Sequence, residues 1–288
     1  MGGNKMFYKI ENEFLTCEIN DMGAELHSLK SKESGKEYVW YGRTEIWYGQ
    51  APVLFPFIGQ LNSDKYRLDG KEYSMPKHGF ARKMLFNVER CEKNEAVFTL
   101  EEDESTLEKY PYSFKLSVKF TLEGKKLINT ITVLNRDEKR MYFSLGAHPG
   151  FNCNVGDIIE FEESETVFTE RIAKTNLLID EKFPLLNNER EIEITKEIFE
   201  PDALIISGLK SKKLRIKGEN PIEFTFGDCP VLGIWAKPGA PYVCIEPWYG
   251  INDNPTPWND ISEKREIQSL DSGKSFDLVW SAQVDCRW

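Results

Sequence analysis

Two of the three histidines in this 288-residue chain sit in unusual surroundings. His78 lies in Pro76-Lys77-His78-Gly79-Phe80-Ala81-Arg82, and His148 in Gly146-Ala147-His148-Pro149-Gly150-Phe151. Each stands beside glycine or proline just outside an apolar run. A loop of that kind can aim a side chain from a rigid sheet edge into a groove. Imidazole titrates near neutrality, so a histidine so placed can act as acid or base. It can equally do no more than hydrogen-bond its own turn, and the residues alone leave both readings open. His27 differs: it falls in the alternating run Ala24-Glu25-Leu26-His27-Ser28-Leu29 and reads as structural. A third segment is Val243-Cys244-Ile245-Glu246-Pro247-Trp248-Tyr249-Gly250. Glu246 ends an apolar strand and precedes proline and two aromatics. Partial desolvation there would raise its pKa towards the range of a general base. The plainer reading is a carboxylate paired with a nearby cation.

Aromatic residues gather around these segments: Trp40, Trp47, Phe55, Phe57, Phe80, Phe151, Trp235, Trp248 and Tyr249. Aromatic faces can pack on the C–H surface of a sugar ring while polar neighbours bond its hydroxyls. Most of these residues read as core. Trp235, Trp248 and Phe151 adjoin the candidate polar groups and are expected near a ligand.

The elements that must position these residues are strands. Phe114, Leu116, Val118, Phe120 and Leu122 alternate with polar residues, which predicts a half-buried strand. Glu123-Gly124-Lys125 reads as a turn, and Leu127, Asn129, Ile131 and Val133 continue on one face, completing a hairpin. Further strands are predicted at 96–100, 141–145, 213–217, 222–226, 231–236, 242–246 and 275–281. Helical signals are confined to 105–110 and 195–199, the latter stopped before Pro201. Many short strands with frequent turns define an all-β sandwich or barrel. No repeat or linker divides the chain, so one domain over residues 1–288 is expected.

Composition narrows the partners. A net charge of -10 argues against nucleic acid, whose affinity rests on lysine and arginine. No apolar run is long enough to span a bilayer, and the N-terminus has no secretory h-region. A cytoplasmic protein with no membrane partner is expected. The six cysteines form no Cys-x-x-Cys pair and read as free buried thiols. No nucleotide-binding glycine motif or metal-ligand cluster is visible, so neither cofactor nor metal is expected. Oligomeric state is left open.

The segments around His78, His148, Asp202 and Glu246 resemble the aldose 1-epimerase (galactose mutarotase) family, in its LacX-type branch. The resemblance runs from Glu13 to about Ser281 and includes Asp202-Ala203-Leu204-Ile205 and Cys244-Ile245-Glu246-Pro247-Trp248. It implies a galactose mutarotase-like antiparallel β-supersandwich with an open carbohydrate groove. It implies that His148 is the general acid and Glu246 the general base of ring opening. His78 then helps hold the sugar near its ring oxygen, and Asp202 bonds sugar hydroxyls. The family usually carries an arginine six residues before the aromatic of the next strand. With Tyr66 as that aromatic, Gln60 stands there, and a glutamine can bond a hydroxyl but cannot stabilise developing negative charge as an arginine does. Arg82 is the expected substitute.

The implied reaction is interconversion of the α and β anomers of an aldose by acid–base ring opening and closure, with a small-molecule sugar as partner. Three rivals stand beside it. A hexose-6-phosphate 1-epimerase would use the same acid–base pair and needs a basic pocket, for which Arg82, Lys77 and Arg43 are candidates. Lys77 and Arg43 otherwise read as solvated surface charge. A non-catalytic sugar-binding or sensing protein would suit the glutamine at position 60. A glycoside hydrolase pairing Asp202 with Glu246 fits less well, because it leaves the two histidine motifs unused.

Overall fold

The structure is a computed structural model that describes residues 6–200, 202–256 and 258–286. One antiparallel sheet of fifteen strands dominates it. From one edge its order runs Val53–Leu54, Leu145–Ala147, Tyr242–Tyr249, Val231–Trp235, Leu204–Ser207 and Ile158–Ile172. It continues through Lys213–Lys217, Ile222–Thr225, Ser275–Val284, Lys126–Asn135, Phe114–Glu123, Glu95–Glu101 and Asn87–Cys91. Gly150–Asn152 also pairs with Tyr242–Tyr249, and Leu178–Glu193 with Ile158–Ile172. A separate three-stranded sheet holds Phe7–Glu11, Leu15–Asn20 and Glu25–Ser31, the last carrying His27 as expected.

The predicted hairpin forms from Phe114–Glu123 and Lys126–Asn135, with Glu123 opposite Lys126. Its two-residue turn puts Gly124 at φ 56. Glycine is the residue that takes a positive φ at the first position of such a turn without strain. Burial alternates along both strands, so one face packs the core and the other is partly wet.

Several elements differ from expectation for physical reasons. The pair Ile158–Ile172 and Leu178–Glu193 was hidden in sequence because four register shifts break its period-two pattern. The run at 141–145 is two strands. Met141–Phe143 pairs with Gln268–Leu270, while Leu145–Ala147 crosses to Tyr242–Tyr249. The strand at 242–246 runs on through Pro247 to Tyr249. Its partner on one side is interrupted: Gly150–Asn152 pairs with Tyr242 to Cys244, and Leu145–Ala147 with Trp248 and Tyr249. Pro247 lies at that interruption, where no ladder donor is required. The helical signals shrink to one capped turn at Glu104–Leu107 and a 3-10 turn at Glu197–Phe199. All six thiols are free, but Cys91 is exposed and Cys229 and Cys286 are only partly covered. No helix among the described residues is long and apolar enough to cross a membrane.

Candidate active site

The interruption in the sheet creates the site. His148 and Pro149 bridge the two short strands that flank it, and Ile245 N–H donates to the Pro149 carbonyl at 3.1 Å. This places His148 opposite Glu246 by register alone. His148 Nε2 lies 3.2 Å from Glu246 Oε2, although the atoms are not aligned as a hydrogen bond. Trp47 stacks on the His148 ring at 5.0 Å and 28°, and Trp235 meets it edge-on at 5.8 Å. The imidazole is therefore held by two indoles rather than by polar partners, and its Nδ1 is buried without one.

Cys244, Glu246 and Trp248 share one face of their strand by alternation. Gly233 is paired with Glu246 on the neighbouring strand. A Cβ on Gly233 would come within 2.8 Å of the Trp248 ring, and one on Gly146 within 2.9 Å. The two glycines leave room for the indole to lie across the sheet as part of the pocket floor.

His78 enters from a left-handed turn, with φ 65 at His78 and φ 71 at Gly79. Its N–H donates to the Gly59 carbonyl at 2.9 Å, and Gly59 N–H donates to His78 Nδ1 at 3.1 Å. An Nδ1 that accepts leaves Nε2 carrying the proton of the neutral ring. Burial, reinforced by His148 and Arg82, holds the His78 pKa well below the usual histidine range. Neutral His78 thus offers one N–H donor. A Cβ at Gly79 would lie 2.1 Å from the Phe55 carbonyl oxygen. Gly79→Ala is expected to destabilise the fold by about 1–3 kcal/mol from backbone strain, with more from the clash. Denaturant unfolding checks this, and an unchanged midpoint would contradict it.

Lys77, Arg82, Asp202 and Asn252 complete the rim. Lys77 Nζ donates to Asn176 Oδ1 at 3.0 Å, Arg82 Nη2 to the Lys77 carbonyl at 2.8 Å, and Asn252 Nδ2 to the Asn176 carbonyl at 2.9 Å. Burial lowers the Lys77 pKa, and Asp202 opposes that shift. The pocket has a volume of about 240 Å³. That is below the roughly 300–1,000 Å³ of pockets for drug-sized ligands, so it suits a small molecule.

Eight buried side-chain polar atoms among the described residues lack a partner, and five of them belong to this pocket: Arg82 Nε, His148 Nδ1, Glu246 Oε2, Trp248 Nε1 and Asn252 Oδ1. Buried polar groups are ordinarily paired, so such a convergence of donors and acceptors marks a place for a polar ligand. A larger groove of about 730 Å³, lined by Lys30, Lys36 and Arg43 among others, lies elsewhere. Its buried amides are already used: Gln50 Nε2 donates to the His27 and Trp40 carbonyls, and Asn152 Nδ2 to those of Glu37 and Val39. Volume alone therefore does not single out the pocket where the unpartnered polar atoms gather.

The pocket unites His148, Glu246, His78, Arg82, Asp202, Trp235 and Trp248. Two expected residues fall outside it. Phe151 is fully buried against Phe224, because it pairs with Val243, which faces away from Cys244 and Glu246. Gln60 turns its amide to Asp64 and does not line the pocket. Lys77, read as surface charge, stands in the pocket, whereas Arg43 is exposed and lies in the other groove. Sequence reasoning gave Trp47 no place at the ligand and missed Asn252 altogether. Trp47 carried only its aromatic character as a signal. Asn252 carried none, since its burial depends on Gly59, where a Cβ would lie 2.0 Å from Asn252 Oδ1.

The pair also has defined charge tendencies. Burial pushes the Glu246 pKa well above the usual carboxylate range, and Lys77 is among the groups opposing the shift. Burial draws the His148 pKa down to about 3. Burial thus favours a carboxylic acid beside a neutral imidazole.

The chain belongs to the aldose 1-epimerase family, whose model matches residues 6–247. Within it, the chain is 30% identical to the chromosomal LacX protein of Lactococcus lactis subsp. lactis, over 95% of this chain and 99% of that one. A galactose mutarotase related enzyme from Lactobacillus acidophilus superposes with a TM-score of 0.92 at 32% identity, covering 98% of each chain. A galactose mutarotase-like protein from Lactobacillus casei ATCC 334 gives 0.92 at 29% identity, covering 97% of this chain and 100% of that one. The fold is accordingly the galactose mutarotase-like antiparallel β-supersandwich.

Proposed function

We propose that this pocket binds an aldose and interconverts its α and β anomers. The convergence of five unpartnered buried polar atoms around His148 and Glu246 carries the reading. A pyranose supplies both donors and acceptors for such atoms, and Trp235 and Trp248 offer apolar faces for its C–H surface.

The chemistry needs one acid and one base. Glu246, as carboxylate, takes the proton of the C1 hydroxyl. The bond from C1 to the ring oxygen breaks, its electron pair goes to that oxygen, and His148 supplies the proton there. Rotation about C1–C2 turns the other face of the aldehyde, and the reverse steps close the opposite anomer. The neutral pair holds the same number of protons as the carboxylate–imidazolium pair, so the reactive form needs no proton from solvent. Lys77 favours the Glu246 carboxylate but opposes a protonated His148, so the sugar's hydroxyls supply the polarity that favours the ionised pair. His78 Nε2–H is a donor for the ring oxygen, and Asp202 and Asn252 accept from hydroxyls. Polarimetry tests the reading. A freshly dissolved α-aldose should relax faster in proportion to added protein, and relaxation at the buffer rate for every aldose would count against it.

A phosphorylated aldose is the second reading, favoured by Lys77 and by the unpartnered, buried Arg82 Nε. Arg82→Ala is expected to lower kcat/KM for a hexose 6-phosphate about 10–100-fold, the loss of one charged hydrogen bond of ~1.5–3 kcal/mol. A free hexose should lose less. Equal losses on both would assign Arg82 to the sugar rather than to a phosphate.

A further inference from the structure

We infer that the pocket floor is also a site for a thiophilic divalent cation such as zinc, held by His148, Cys244 and Glu246, and that its occupancy excludes sugar. One ligand atom from each of these residues lies within 4.8 Å of the other two. All three residues are buried. A tetrahedral zinc with bonds of 2.0–2.3 Å sets its nitrogen, oxygen and sulfur ligands roughly 3.3–3.6 Å apart. The His148 Nε2 to Glu246 Oε2 distance of 3.2 Å already meets that spacing. The sulfur needs a shift of about 1 Å, within the reach of one side-chain rotation.

Three observations single out this cluster. Glu246 Oε2 is buried without a hydrogen-bond partner and faces His148 Nε2. Cys244 has no part in the proton transfers, yet it shares the strand face of Glu246 two residues earlier. The absent side chain of Gly150 leaves room for its sulfur, since a Cβ there would lie 3.4 Å away. A nitrogen–sulfur–oxygen set is the donor chemistry that zinc accepts. On binding, the thiol and the carboxylic acid each release a proton to solvent while the imidazole enters neutral. Two anionic ligands then cancel the charge of the ion, so the dry floor holds no net charge. His148 and Glu246 line the pocket and Cys244 lies beneath them, so the fourth coordination position opens to the groove. The ion ties up both members of the acid–base pair and acts as an inhibitor rather than a cofactor.

The test uses the full chain after chelator treatment, with Co²⁺ as a spectroscopic probe and Zn²⁺ for affinity. The expected result is one equivalent of Co²⁺ per chain with a thiolate-to-metal charge-transfer band, bleached by one equivalent of Zn²⁺. Cys244→Ser and Cys244→Ala should lose the band and leave metal-free turnover unchanged. Zinc affinity should fall by more than the roughly 10–100-fold that loss of an outer-shell partner costs. The wild type should lose anomer exchange on Zn²⁺ addition, and either variant should not. A wild type without the band, or a band that persists in both variants on Cys91 or Cys286, would overturn the assignment. Metal binding is read without sugar, so its failure is distinguishable from failure of the anomerase reading.

Discussion

Glu246→Gln should lose about 10²- to 10⁴-fold in kcat, the contribution of one positioned acid or base, and keep its affinity for sugar. The substitution preserves volume on a strand where Glu246 is 1% exposed. An amide can still meet a sugar hydroxyl but cannot take its proton. His148→Asn should show the same division, because the ring is held by Trp47 and Trp235 and not by a hydrogen-bond network that its loss would unravel. The double variant should be little worse than either single one, since an acid and base that act as a unit are not additive. Calorimetric binding and polarimetric turnover separate the two quantities. A Glu246→Gln protein that turns over at the parental rate would remove the base from the mechanism.

The second large effect concerns the loop that carries Asn252. Asp253 and Lys264 form a buried ion pair at 2.5 Å, with side chains 2% and 1% exposed. Lys264 Nζ also donates to the Ile251 carbonyl at 2.7 Å. Asp253 further accepts from Trp258 Nε1 at 3.1 Å and from Asn62 N–H at 2.9 Å. Burial lowers the Lys264 pKa and Asp253 opposes the shift, so the carboxylate is what keeps an ammonium tolerable there. Asp253→Ala should cost about 3–5 kcal/mol in denaturant unfolding by leaving a buried charge alone. Adding Lys264→Met should recover part of that loss, because the stranded charge is gone. A double variant as unstable as the sum of the singles would show that the pair acts through packing instead.

How much of this was legible in sequence followed the length scale of each signal. The hairpin of 114–135 was readable because alternation and a turn glycine lie within one short window. His148 and Glu246 were readable because their glycine, proline and aromatic neighbours are local. Their contact was not, since it depends on a gap between two three-residue strands. Phe151 shows the same limit: it adjoins His148 in sequence, but register with Val243 turns it into the core. Lys77 and Asn252 belong to the pocket through tertiary packing around Asn176, which both contact and which no local pattern announces.

The central claim is tested most directly by saturation-transfer NMR on an equilibrium mixture of aldose anomers. Irradiating the α anomeric proton should attenuate the β signal when the wild-type protein is present, and should not with Glu246→Gln. Sugar binding without transfer across a panel of free and phosphorylated aldoses would contradict the account and leave the pocket as a sugar-binding site without turnover.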